Sequence, residues 1–149
     1  MRTKSTPKRR LRSSVTVQFA VRGAPPAARL RKWARAAARP GAEVTLRVVG
    51  AAEARRLNRA FRARDYATNV LSFSYGPNQG DLVLCHPVIV REAREWGKEL
   101  AAHYAHLVVH GMLHLRGRDH ARRAQARRME RAEIALLERL GFGDPYAVK

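Results

Sequence analysis

The 149-residue chain has little of several features that would assign it to particular protein classes. Its one cysteine, Cys85, cannot form an internal disulfide, which fits a reducing compartment. No apolar run approaches the roughly 20 residues that a membrane-spanning helix needs, so we expect no membrane partner. No apolar stretch follows the basic start, which therefore does not read as a secretory signal. These absences favour a cytoplasmic protein, with an organellar matrix as the alternative because an Arg- and Ser-rich start also resembles a transit peptide.

Acidic residues are also scarce, with 12 Asp and Glu against 30 Lys and Arg and a net charge of +18. A chain with this charge attracts polyanions, since clustered basic residues supply the phosphate contacts that dominate affinity for nucleic acids. Codon bias is the alternative explanation, but it would replace Lys by Arg and would not produce such an excess of basic over acidic residues. The basic residues form two clusters: Arg2, Lys4, Lys8, Arg9, Arg10 and Arg12 at the start, and Arg116, Arg118, Arg122, Arg123, Arg127, Arg128 and Arg131 near the end.

Hydrophobic patterns predict one domain over residues 14–149, preceded by a disordered basic tail over residues 1–13. The predicted strands are 15–21, 43–49, 70–75 and 81–85, and the predicted helices are 27–39, 51–62, 88–115 with an optional break near Gly97, and 121–140. This order predicts an α+β fold in which helices pack on a four-stranded mixed sheet. A metal site is expected on the long helix of the C-terminal half.

The segment from His110 to His120 has the spacing of a metal site. His110 and His114 are four residues apart on a predicted helix, so their imidazoles share one face and can reach one ion. Gly117 can adopt the left-handed conformation that ends a helix and brings His120 to the same ion. Three imidazoles suit one Zn²⁺ and leave a fourth position for water, as in catalytic zinc sites. Histidines on a helix are more often packing or surface residues, but three at this spacing favour ligands.

Other polar residues near the motif allow more than one interpretation. His106 and His110 form a second pair four residues apart, but no glycine turn with a third histidine follows them directly. We interpret His106 as a packing residue or as a residue that contacts a ligand, and His103 as solvent-facing. Asp119 either hydrogen-bonds a ligand imidazole or caps the turn.

The spacing of the histidines also occurs in the metzincin peptidases, which carry glutamate directly after the first histidine as general base. This chain has Gly111 at that position. A zinc peptidase is therefore disfavoured, whereas a hydrolytic metal site remains, because a metal can activate water without that base.

Three segments resemble the YbeY-type endoribonucleases, also called the UPF0054 rRNA maturation factors. They are His110-Gly111-x-Leu113-His114-Leu115-x-Gly117-x-Asp119-His120, Leu57-Asn58-x-x-Phe61-Arg62-x-x-Asp65-x-x-Thr68-Asn69-Val70-Leu71-Ser72-Phe73, and Gly80-Asp81-Leu82-Val83-Leu84. The resemblance covers about residues 44–140. It implies a single-strand-specific, metal-dependent endoribonuclease in 16S rRNA 3′-end maturation and ribosome quality control, with single-stranded RNA, the 16S rRNA precursor and the ribosome as partners.

The resemblance also implies roles for particular residues. His110, His114 and His120 match the family's zinc ligands, and Arg62 matches its functionally important arginine. We therefore expect Arg62 and His110 to be catalytic, with the Arg62 guanidinium binding two phosphate oxygens. The helix alone favours Arg62 as a solvated residue that caps helix-end carbonyls, and the functional role follows from the resemblance. Asn69 stands where the family often carries Asp, which puts in doubt any role of that carboxylate in orienting a ligand or a water.

A second class of function is a ribosome-associated RNA-binding protein in which zinc only stabilises the fold. That alternative requires a closed site with four protein ligands, for which Cys85 or His86 could supply the fourth. The sequence leaves open the protein partners, the oligomeric state, and whether water or the 2′-hydroxyl attacks the phosphate.

Overall fold

A computed structural model of the protein describes residues 12–117 and 123–147, so most of the predicted basic tail lies outside the described residues. The strands are β1 Ser14–Phe19, β2 Glu43–Val49, β3 Val70–Gly76 and β4 Gln79–Cys85. The helices are α1 Ala27–Ala37, α2 Ala51–Arg62, α3 His86–Glu95, α4 Leu100–Leu115 and α5 Arg123–Arg139. Within these ranges, no helix has both the length and the apolar character needed to cross a membrane.

The four strands form one sheet in the order β1-β2-β4-β3. Both β1 and β4 run parallel to β2, whereas β3 and β4 are an antiparallel hairpin. The predicted α+β fold with a four-stranded mixed sheet is confirmed. Because β3 is the last strand in this order, one of its two sides carries backbone groups that no strand of this sheet pairs.

Helices cover both faces of the sheet, because successive side chains of a strand point to opposite faces. Leu82 and Leu84 of β4 lie in a core cluster with apolar residues of α1, α4 and α5. Val83 and Cys85 of the same strand lie in a second cluster with residues of α2 and α3. Cys85 is fully buried, as its apolar strand predicted.

Several element boundaries differ from the predicted ones, mostly by one or two residues. Strand β1 ends at Phe19, two residues early, and α1 ends at Ala37 rather than Arg39. The residue before a proline is disfavoured in a helix, and Pro40 follows Arg39 directly. The predicted helix over residues 88–115 is two helices, α3 and α4, because Gly97 adopts a left-handed conformation with φ of 62°.

Candidate active site

The close approach of α4 to the sheet fixes the direction in which its histidines point. A Cβ on Gly111 would lie 2.0 Å from Leu82 Cδ2 and 3.3 Å from Ser72 Oγ, so Gly111 faces the sheet. Successive helical residues are about 100° apart, so His110 and Met112 lie on opposite sides of Gly111. Met112 is buried in the core shared with α1. His110 therefore faces away from α1, on the side of α4 that lies towards the edge strand β3.

His110 and His114 lie next to each other on this side of α4. Their Nε2 atoms are 3.1 Å apart, and their ring centroids are separated by 4.6 Å. Two imidazoles on one tetrahedral zinc ion, with Zn–N bonds of about 2.0–2.1 Å, have nitrogens about 3.3 Å apart, so the pair fits this geometry. Gly117 has φ of 84° and ends the helix as predicted. His120, the third predicted ligand, and Asp119 lie outside the described residues.

A buried carboxylate on α5 holds the other side of His110. Glu133 is fully buried and accepts hydrogen bonds from His110 Nδ1 at 2.8 Å, from His106 Nε2 at 2.8 Å and from the Tyr146 hydroxyl at 2.6 Å. Burial raises the pKa of Glu133, but the three hydrogen bonds outweigh that effect and bring the pKa to about 2. Glu133 is therefore ionised, and its bond to Nδ1 directs Nε2 of His110 towards His114.

His106, His110 and Glu133 together form a group that could hold a metal ion, since their ligand atoms lie within 4.8 Å of one another. This group and the His110–His114 pair share His110. In the group Glu133 would be a metal ligand, whereas beside the pair it would only hydrogen-bond His110. The contacts of Glu133 with both histidines have hydrogen-bond lengths, and a third donor also occupies the carboxylate. These contacts favour Glu133 as the partner that orients His110, as a carboxylate does behind a metal-bound histidine.

His103 is buried, so its interpretation as solvent-facing is wrong. Only 2% of the residue is exposed, because α3 packs against this part of α4. Its Nε2 donates to Glu92 Oε1 at 2.8 Å, and burial lowers the pKa of His103. The Asn69 amide donates to the same carboxylate oxygen at 3.0 Å and so ties the start of β3 to α3. An ionised aspartate at position 69 could not donate this hydrogen bond to Glu92. The contact therefore explains why asparagine occurs at this position.

Arg62 lies at the end of α2 and reaches the edge strand. Its Nη2 donates to the backbone oxygen of Ser72, and its guanidinium carbon is 5.3 Å from the centroid of the Phe73 ring. The Ser72 hydroxyl in turn donates to the backbone oxygen of Gly111 at 3.4 Å. Arg62 thus contacts β3 beside the residue that follows His110, instead of capping carbonyls of its own helix.

Cys85 and His86 do not approach His110. Cys85 lies in the core on the α2 and α3 face of the sheet, opposite to α4. Nδ1 of His86 is 2.6 Å from the hydroxyl of Tyr104, an α4 residue whose side chain is fully buried. Neither residue can act as a fourth ligand beside His110 in this arrangement, which disfavours the closed zinc site of the structural alternative.

Glu133 and Tyr146 were missed in the sequence, although Glu133 left a signal there. Met129, Glu133 and Leu137 follow one another at intervals of four residues, and both apolar members are buried. A lone acid in the apolar stripe of an amphipathic helix must have polar partners when it is buried. Tyr146 comes after α5, in a segment without periodicity, and carried no comparable signal.

Comparisons with known proteins agree on one family. The family model described as Endoribonuclease YbeY matches residues 26–141. A protein of Azoarcus with that name is 56% identical over 135 residues, covering 83% of this chain but only 54% of the relative. Relatives of the same name from Aromatoleum aromaticum and Bordetella pertussis are 53% and 51% identical, with 91% and 89% of this chain covered. The chain spans 94% and 95% of the length of these two relatives.

Similarity to a solved structure supports the fold. The solution structure of a Thermotoga maritima protein has a TM-score of 0.52 and 22% sequence identity, with 90% of this chain and 99% of the other covered. At this identity the similarity supports the α+β fold alone.

Proposed function

The chain belongs to the endoribonuclease YbeY family, and from this premise we propose that it is a hydrolase that cleaves single-stranded RNA internally with one zinc ion held by His110, His114 and His120. The observation that carries the proposal is the chain of contacts from Arg62 to Ser72 of β3 and from Ser72 to Gly111, the residue next to His110. Nε2 atoms 3.1 Å apart offer two metal ligands, and Arg62 binds the backbone of the strand next to them.

The residues of the site have separate roles in this proposal. His110, His114 and His120 would hold the zinc ion, which would supply a Lewis acid to polarise a phosphate oxygen and to lower the pKa of water towards about 7. Glu133 keeps the proton of His110 on Nδ1, so that Nε2 is the ligand atom. The planar guanidinium of Arg62 binds two oxygens of the scissile phosphate and stabilises the charge that builds there.

The cellular role that we propose is 16S rRNA 3′-end maturation and ribosome quality control in the cytoplasm. It rests on the resemblance of the motifs and on the net charge of +18, which favours a polyanionic substrate. Arg127, Arg128 and Arg131, on the same helix as Glu133, are exposed and belong to this basic excess.

The activity is tested with a labelled single-stranded RNA and the matching duplex as control. We expect cleavage of the single strand only, loss of cleavage after chelation and recovery when Zn²⁺ is added back. A chain that binds the RNA but leaves it intact with Zn²⁺, Mg²⁺ or Mn²⁺ would support the RNA-binding protein without catalysis and contradict the proposal.

A pair of variants distinguishes the two possible metal groups. His114→Ala removes a ligand of the proposed site, whereas His106→Ala removes a member of the His106, His110 and Glu133 group. We expect zinc stoichiometry to fall in His114→Ala and to persist in His106→Ala, measured by metal analysis of the folded proteins. The reverse result would move the ion to the group that contains Glu133.

A further inference from the structure

Large aromatic side chains are exposed on the two elements that Arg62 connects, α2 and β3. Phe61 at the end of α2 is 65% exposed and Tyr75 on β3 is 64% exposed. Both exceed Phe19, which is 46% exposed on the strand at the opposite edge of the sheet. Large aromatic rings left in water at neighbouring positions are typical of binding surfaces, because their apolar area gains free energy only when a partner covers it.

These rings belong to one surface. The Phe61 and Phe73 rings meet edge to face with centroids 5.5 Å apart. The pairing of β3 with β4 shifts register between Ser74 and Gly76, so strand alternation alone does not place Tyr75. Its hydroxyl reaches Asp81, the β4 partner of Phe73, which puts Tyr75 on the same face as Phe73. The Tyr75 hydroxyl donates to Asp81 Oδ2 at 2.8 Å, which anchors this ring by its polar end. We call Phe61, Phe73 and Tyr75 the aromatic platform.

Basic groups lie at the platform and point to a polyanion. The Arg62 guanidinium stands over the Phe73 ring. Arg64 follows in the next loop and donates to the Tyr66 hydroxyl at 3.4 Å, with both residues exposed. Buried Asn58 holds this loop in place, because its amide donates to the backbone oxygen of Tyr66 at 2.9 Å. Rings beside arginines on an ordered frame are the combination by which proteins bind single strands, through stacking of bases and contacts with phosphates.

We propose that the aromatic platform stacks bases of single-stranded RNA adjacent to the phosphate that is cleaved. This inference rests on the proposed function, because Arg62 joins the two surfaces at the edge of β3. A strand whose phosphate lies between Arg62 and the His110–His114 pair continues around this edge onto the platform. A duplex cannot use the platform, since its bases are already stacked on one another, and the surface therefore selects single strands.

The test measures binding of a short fluorescent single-stranded RNA to the full chain in the presence of chelator, so that no cleavage occurs. Phe61→Ala should weaken binding about 5- to 150-fold, as expected for the loss of one stacked base. Phe61→Tyr should bind nearly as well as the unchanged chain because it keeps a ring. Phe19→Ala is the matched control and should have no effect, since it removes an exposed ring from the opposite edge.

An RNA with abasic positions separates stacking from general damage. If Phe61 stacks a base, one abasic position should weaken binding to the unchanged chain and leave binding to Phe61→Ala unaffected. The proposal is overturned if Phe61→Ala and Tyr75→Ala both bind intact single strands as well as Phe19→Ala does, a result that would assign the platform to a protein partner. Platform-dependent binding without cleavage under any metal would refute the proposed function and leave the platform standing.

Discussion

At the scale of single residues, His110 has a different partner at each ring nitrogen. Nδ1 donates to Glu133, and Nε2 lies 3.1 Å from His114. The tautomer of His110, which the proposed zinc site requires, is thus set by a residue on another helix. Glu133 in turn is held by three donors and lies in the core, so its position is well determined.

Glu133→Gln should weaken zinc binding about 10- to 100-fold, as changes behind a ligand histidine do, because a neutral amide holds the Nδ1 proton less strongly. A competition titration against a chromophoric chelator measures this affinity without reference to activity. Glu138→Gln is the control, since Glu138 is exposed on the same helix. Equal affinities of the two variants would reduce Glu133 to a packing role.

Arg62→Lys should lose about as much activity as Arg62→Ala, roughly 10²- to 10³-fold, because an ammonium cannot reproduce a planar two-point contact with phosphate. Zinc content should remain unchanged, since Arg62 is not among the proposed ligands, which are His110 and His114 on α4 and His120 further along the chain. Single-turnover cleavage of single-stranded RNA measures the loss. Near-normal activity in Arg62→Ala would return this residue to a surface role.

At the scale of elements, the packing of α4 on the sheet depends on the absence of a side chain at position 111. The absence of glutamate at this position argued against a peptidase, and the close packing of Gly111 explains why glutamate cannot occur there. Any side chain would collide with Leu82, and it would point into the sheet and not towards the His110–His114 pair.

Gly111→Ala should destabilise the fold by about 1–3 kcal/mol, the usual cost of adding atoms to a packed core. The intrinsic preference of helices for alanine over glycine opposes this cost by about 1 kcal/mol at most. Thermal and denaturant unfolding measure the difference. Gly143→Ala is the control, because a Cβ there meets no atom within 4 Å. A Gly111→Ala protein as stable as this control would mean that α4 can shift away from β4.

The elements themselves could largely be predicted, because their periodicity is local. Strand β2 and helix α2 have the predicted boundaries, and the break between α3 and α4 falls at Gly97. The proximity of His110 and His114 could be predicted because their motif is contiguous. The contacts of Glu133 with α4 and of Arg62 with Ser72 join residues distant in sequence or on different elements, and no local pattern encodes them. His103 was misjudged because the packing of α3 over it is likewise non-local.

At the scale of the whole molecule, the excess of positive charge should make RNA binding depend strongly on salt. Each phosphate that a basic residue neutralises contributes about −0.7 to the slope of log K against log salt concentration for a single strand. Neutral rings do not contribute to this slope, so the aromatic platform and the arginines can be distinguished in one series of titrations.

Deleting residues 1–12, which hold six basic residues, should lower RNA affinity and flatten the salt slope while the rate of cleavage at saturating RNA stays the same. Arg127→Gln with Arg128→Gln should flatten the slope by about 1.4 if each residue neutralises one phosphate. Phe61→Ala should change the affinity and leave the slope unaltered. A truncated chain with the original slope would identify the start as an address segment or a solvated appendage.

The contact between Arg62 and Ser72 has a consequence beyond catalysis. An edge strand such as β3 offers unpaired backbone groups with which a second molecule can extend the sheet, and a charged side chain on such an edge opposes this. Because Arg62 binds the backbone oxygen of Ser72, this oxygen cannot accept a hydrogen bond from a strand of a second copy of the chain. Removing the guanidinium would therefore expose β3 to self-association, and an aggregating Arg62→Ala protein would lose activity for a reason unrelated to the phosphate. Sedimentation at several protein concentrations separates the two causes.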